Sequence, residues 1–145
     1  MIDVMATIKQ VTTIEESQKL LELGLDKDTC DAYYRICASS LGDDIDPVAH
    51  FRETLVSLID LKYKIPAWTS SGLINALPII DEEIRPIIER CWNGKYACKY
   101  MVFDEVEGTA QVHIRRFGET PVDAAYAMMK YMLGSYIEDS DAKEE

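Results

Sequence analysis

Residues 92–103 read Trp92-Asn93-Gly94-Lys95-Tyr96-Ala97-Cys98-Lys99-Tyr100-Met101-Val102-Phe103, and this stretch decides the fold class. Asn-Gly favours a type I′ turn, because both of its central residues need positive φ. The aromatic and β-compatible run Tyr96 to Phe103 behind it suits a strand. After the polar loop Asp104 to Gly108, Ala110 to Phe117 alternates as a second strand with Val112, Ile114 and Arg116 on one side. The segment before the turn, Ile87 to Trp92, reads either as a third strand or, with Pro86 and Asp81-Glu82-Glu83-Ile84, as part of a short helix. The expected product is an antiparallel meander of two or three strands.

Helices are expected on both sides of it. Downstream, Thr120-Pro121-Val122-Asp123 places a cap, a proline at the first helical position and an acid in the first turn. Val122, Ala125, Tyr126, Met129, Met132 and Leu133 then form one apolar stripe, and Gly134 ends a helix 121–133 that lies across the sheet. Upstream, Thr13-Ile14-Glu15-Glu16 fits a capping box opening a helix 14–23, with Gly24 as its stop. Asp28 caps a second helix whose Cys30, Tyr33, Tyr34 and Cys37 fall at i, i+3, i+4 and i+7. Asp46-Pro47 starts a third, 47–61, with Val48, Phe51, Leu55, Leu58 and Ile59 on one face. Thr69 or Ser70 caps a short helix closed by Pro78. Several N-terminal helices, a small meander and a C-terminal helix packed on it spell α+β.

The chain has 145 residues, which points to one domain, with 1–137 as the globular part and 138–145 as an acidic flexible tail. Its formal net charge of −11 is uneven: residues 1–60 carry 12 acids and 5 bases, while residues 95–117 carry 3 acids and 4 bases. Nucleic-acid affinity comes mainly from Lys and Arg, so direct binding to DNA or RNA is not expected. No run approaches the roughly 20 apolar residues of a membrane helix. Met1 to Gln10 shows no secretory signal, which makes the cytoplasm the expected location and reduced thiols the expected state of the four cysteines.

Ile65-Pro66-Ala67-Trp68, Leu73-Ile74-Asn75-Ala76-Leu77-Pro78 and Pro121-Val122-Asp123-Ala124-Ala125-Tyr126-Ala127-Met128 carry a resemblance. The chain resembles small uncharacterised proteins of Bacteroidetes, found near phage-like or mobile elements, with the pattern P-A-W-S-x-x-x-L-x-x-L-L-P, then strands, then a D-A-x-x-x-M helix. The run Thr13 to Leu25 is similar as well. The sequence departs from the pattern between Asp46 and Tyr63, and with Ile79-Ile80 after Pro78. The resemblance implies a bacterial, cytoplasmic, accessory role and no catalytic residue.

Chemistry-bearing residues are sparse. Cys30/Cys37 and Cys91/Cys98 are each seven apart, about 10.5 Å along a helix, too far for one tetrahedral zinc. No metal site and no cofactor is expected. Neither glycine-rich phosphate loop occurs, and Ser70-Ser71-Gly72 lacks a nucleophile elbow. Asp81-Glu82-Glu83 reads as a solvated acidic turn. His50 reads as a general base or as a histidine on a helix surface. Lys99, His113 and Arg115 could together hold a small anion, and Cys98 beside His113 could form a nucleophile pair.

Three function classes follow. The first is a non-catalytic protein that binds an unidentified protein partner through Trp68, Tyr63 and Trp92, large rings suited to anchoring an interface. The second is an acidic mimic of nucleic acid, in which Asp43, Asp44, Asp46 and the tail stand in for phosphates and block a DNA-binding protein. The third is a thiol or small-anion enzyme using Cys98, His113 and Arg115. Helix 121–133 serves equally as a homodimer seam or as cover for its own core.

Overall fold

Ala32-Tyr33-Tyr34-Arg35-Ile36-Cys37 sends successive side chains to opposite sides: Ala32 and Tyr34 are buried, while Arg35 and Cys37 are exposed. A computed structural model of the chain describes residues 9–39, 42–53, 58–80, 84–104 and 106–142, and in it this stretch is strand β1 (Ala32–Ser39). The helix expected from Asp28 is thereby corrected. Asp28 lies in a single 3-10 turn, Lys27–Thr29, where its N–H donates to Asp26 Oδ1 at 3.0 Å. The same run also alternates, with Cys30, Ala32, Tyr34 and Ile36 at every second position, and aromatic and β-branched residues favour the pleated backbone.

The expected helix 47–61 is also absent from its described residues. Strands β2 (Gly42–Ile45) and β3 (His50–Phe51) return along one edge of β1, and β4 (Lys64–Ala67) pairs with β1 on the other, all antiparallel. Asp46 does accept from the Val48 N–H, at 3.0 Å. This local bond is the same in an Asx turn as in a helix cap, so the signal was real and its continuation was not. Val48, Phe51 and Leu58 from the expected stripe are exposed, and Leu55 lies outside the described residues. Ile59 alone among the described stripe residues is buried, held by its N–H to Asp28 Oδ1 at 2.8 Å. An antiparallel sheet thus replaces two of the expected N-terminal helices.

The other caps lead where they point. Helix α1 (Ile14–Glu22) opens with the full capping box, Glu16 N–H to Thr13 Oγ1 at 3.1 Å and Thr13 N–H to Glu16 Oε1 at 2.9 Å. It closes through Gly24, at φ 102°, with Leu25 N–H reaching Leu20 O and Gly24 N–H reaching Leu21 O. Helix α2 (Ser70–Ala76) is capped by Thr69, whose Oγ1 accepts from Gly72 N–H at 3.0 Å. Asp31 orients that cap, taking the Thr69 N–H at 2.8 Å and its hydroxyl as well.

Three strands then form the meander β5 (Arg85–Arg90), β6 (Tyr96–Asp104) and β7 (Thr109–Gly118). The ambiguous segment before the turn is therefore a strand, and Pro86 is tolerated because β5 is an edge. Ile88, Cys98, Tyr100 and Ile114 join one core cluster with Val122, Ala125, Met128 and Met129 of helix α3 (Pro121–Ala142). The helix does not stop at Gly134, which keeps ordinary negative φ, and it runs on through residues 138–142. Asp81, Glu82 and Glu83 lie outside the described residues.

The alternation expected in β7 is corrected too. Ile114 pairs with Tyr100 and Val112 with Met101, so His113 is an extra residue at a bulge. Adjacent residues of β6 face opposite ways, so Val112 and Ile114 do as well. Ile114 packs on the core and Val112 is 36% exposed.

Trp68, expected as an interface anchor, is instead fully buried. Its indole N–H donates to Thr29 Oγ1 at 3.0 Å, and its backbone brackets Thr12, donating to Thr12 Oγ1 at 3.1 Å and accepting from Thr12 N–H at 2.9 Å. Trp68→Ala is expected to cost about 3–5 kcal/mol in urea denaturation followed by circular dichroism. Trp92→Ala, at an exposed position, is expected to stay within about 0.5 kcal/mol of the parent.

Candidate functional site

Helix α3 covers one face of the β5–β7 sheet, and pairing register assigns the residues of the other. Ile87 sits across from Lys99 and Lys99 across from Arg115; Glu89 sits across from Ala97 and Ala97 across from Phe117. This face carries a groove of 350 Å³ lined by Glu89, Trp92, Ala97, Arg115 and Phe117, among others. Ile87 is 43% exposed and Phe117 53%.

The β5–β6 turn sets the position of Trp92. Gly94 N–H donates to Cys91 O at 3.0 Å, Cys91 N–H donates to Lys95 O at 2.7 Å, and Gly94 has φ 84°. These bonds define a three-residue loop, Trp92-Asn93-Gly94, with glycine in the left-handed position. The two-residue turn expected from Asn-Gly is displaced by one position. Trp92 therefore stands at the corner of the loop, where it is 99% exposed.

Lys99 and Arg115, two of the three expected anion-binding residues, do face each other. Like charges directly opposite repel, and Glu89 compensates them. Lys99 Nζ lies 2.8 Å from Glu89 Oε2, with the Lys99 side chain nearly buried. Lys99, and then Arg115, hold the Glu89 carboxyl below its ordinary value. Arg115 also lies 5.8 Å from the centroid of the Phe117 ring. His113 occupies the bulge, and its side chain lies outside the described residues.

Cys98 is on the opposite, helix-covered face, paired with Arg116 rather than with His113. It is fully buried, and burial pushes its thiol up to about 12, so at neutral pH it offers no thiolate. Tyr63, at the head of β4, is 55% exposed with Lys62 Nζ 5.5 Å from its ring centroid. It belongs to the other sheet.

That sheet displays a polar group the helical reading had dispersed. The rings of Tyr33 and His50 stack at 5.6 Å, Lys64 Nζ lies 4.4 Å from the Tyr33 centroid, and Arg35 Nε donates to His50 Nε2 at 3.3 Å. Asp46 Oδ2 is 3.5 Å from the same nitrogen. With its lone pair taken by a guanidinium, the Nε2 of His50 is poorly placed to accept a substrate proton. Among the described residues, no group of three or more His, Cys, Asp or Glu side chains is arranged to hold a metal, and no helix is long and apolar enough to cross a membrane.

No family model, curated protein or solved structure matches this chain.

Because the depressed Glu89 pKa favours the folded state above the ordinary glutamate value of 4.5, that contribution fades as acid protonates the carboxylate. In Lys99→Met, NMR titration should find the Glu89 pKa moved upward from its value in the parent. Thiol alkylation at about pH 8 is expected to label exposed Cys37 and to spare Cys98 until the protein is unfolded.

Proposed function

We propose that this protein acts by binding another protein, without catalysis of its own, through the face of the β5–β7 sheet that α3 leaves open. Trp92 carries the reading. A tryptophan fully exposed at a corner held by backbone bonds presents a large ring at low ordering cost. The groove beside it adds Phe117 and the guanidinium of Arg115, residue types enriched at protein interfaces. The partner surface that fits has a pocket for an indole and a carboxylate for Arg115. A cytoplasmic accessory role in a bacterium, of mobile-element origin, belongs to the same proposal and rests on the family resemblance.

The other readings draw less support. The acidic-mimic reading draws on Asp43, Asp44, Asp46 and the tail, and of these Asp46 is committed to accepting the Val48 N–H within its own turn. The thiol-enzyme reading needs an accessible Cys98, and that side chain is buried under α3.

Affinity capture from the native cell with three baits tests the proposal: the parent, Trp92→Ala, and Leu58→Ala as an exposed apolar control elsewhere on the chain. A partner held by the parent and by Leu58→Ala, and weakened about 30-fold by Trp92→Ala, is the expected result. Equal recovery on the Trp92→Ala bait removes this face as the interface.

A further inference from the structure

A groove of 430 Å³ opens between α1, β7 and α3, on the other side of the sheet from Trp92. Lys19 of α1, Arg116 of β7 and Lys130 of α3 line it, and among the described residues no carboxylate does. On a chain with formal charge −11, three basic residues from three separate elements line one hollow, the Lys130 Nζ lying 5.1 Å from the centroid of the neighbouring Tyr126 ring. None of the three has an ion-pair partner among the described residues, where the paired cations are Lys9, Lys27, His50, Lys95 and Lys99. Gathering like charges without a counter-charge is unfavourable, and an anion in the hollow relieves it.

The groove is also shaped. Arg116 Nη1 donates to Arg115 O at 2.7 Å, and its guanidinium carbon lies 3.9 Å from the centroid of the Tyr131 ring. These two contacts fix the plane of the guanidinium and leave further N–H donors for a ligand. Along α3, Ala127, Tyr131 and Gly134 fall at i, i+4 and i+7, on one face of the helix. Gly134 has no positive φ to require it, and a Cβ there would meet nothing within 4 Å. A glycine inside a helix costs about 1 kcal/mol relative to alanine, and here neither the backbone nor packing demands one. Its missing side chain leaves that stretch of the groove wall bare.

We propose that this groove is a binding site for a small organic phosphate. A phosphate monoester carries about −1.5 to −2 charge at neutral pH, matching several cations where a single carboxylate would match one. Arg116 supplies directional donors and the two lysines supply point charges. Tyr131 and Leu23 give an apolar wall for the organic part, and the volume falls within the range of small-molecule sites. The site is distinct from Lys99 and Arg115, because Arg116 pairs with Cys98 on the helix-covered face and Arg115 with Lys99 on the open one.

Two probes test it, inorganic phosphate and phenyl phosphate, titrated into the isotope-labelled full chain at constant ionic strength with amide shifts as the readout. Saturable shifts confined to the neighbourhood of Lys19, Arg116, Ala127, Lys130 and Gly134 are expected, with phenyl phosphate the tighter ligand. Lys19→Gln and Lys130→Gln, both exposed and harmless to folding, should each weaken binding about tenfold. Arg116→Lys, which keeps the charge and loses the fork, should weaken it too. Non-saturable shifts, unchanged affinity in the doubly substituted lysine variant, or shifts centred on Lys99 and Arg115 would each overturn the proposal. No advantage for phenyl phosphate would overturn the organic part of it.

Discussion

Close contact between α3 and the three-stranded sheet is the constraint on which the C-terminal half depends. Gly118 lies so near the first turn of the helix that a Cβ there would come within 2.3 Å of Ala124 N. This approach lets Ala124, Ala125, Met128 and Met129 bury completely, along with Cys98 and Tyr100 beneath them. The Tyr100 hydroxyl donates to Pro78 O at 2.7 Å, tying the same layer to the segment after α2. Because, among the described residues, α3 covers one face of the sheet and leaves the other open, its two faces acquire different characters. One holds the core, and the other holds Trp92, Phe117 and the compensated charges around Glu89.

Local signals that act within one turn were legible in the sequence. The capping box at Thr13, the Thr69 cap and the proline at position 121 each start a helix, because the side chain that satisfies the first amides lies within three residues of them. The mixed helix-and-sheet class and the C-terminal helix over a meander followed from the same cues. Spacing was less trustworthy where two periods fit. The run from Cys30 to Cys37 satisfies helical spacing and strand alternation alike, and only its pairing with three other strands decides between them. Asp46-Pro47 carried a cap signal that ends in a turn, since the partners that capture His50 and Phe51 lie in β1, far back along the chain.

The candidate surface was legible in part. Trp92 stood out as a large ring beside a tight turn, and Lys99 and Arg115 as neighbours on paired strands. A one-residue displacement of the turn decided how far Trp92 projects, and no rule based on Asn-Gly alone supplies it. The bulge at His113 likewise reverses the facing of Val112, which strict alternation misplaces. Trp68 illustrates the opposite error: its large ring suggested an interface anchor, yet Thr12 and Thr29 close over it from distant segments. Lys19, Arg116 and Lys130 have no common signal in the sequence at all. They are separated by long stretches of chain and share a groove only after three elements pack.

The chain has two tryptophans, one sealed in the core and one open to water. Their emission therefore divides into a blue-shifted component from Trp68 and a red-shifted one from Trp92, and soluble quenchers reach only the second while the protein is folded. The molecule carries its own pair of optical reporters: one follows the integrity of the fold, and the other follows the environment of the exposed sheet corner, without any added label.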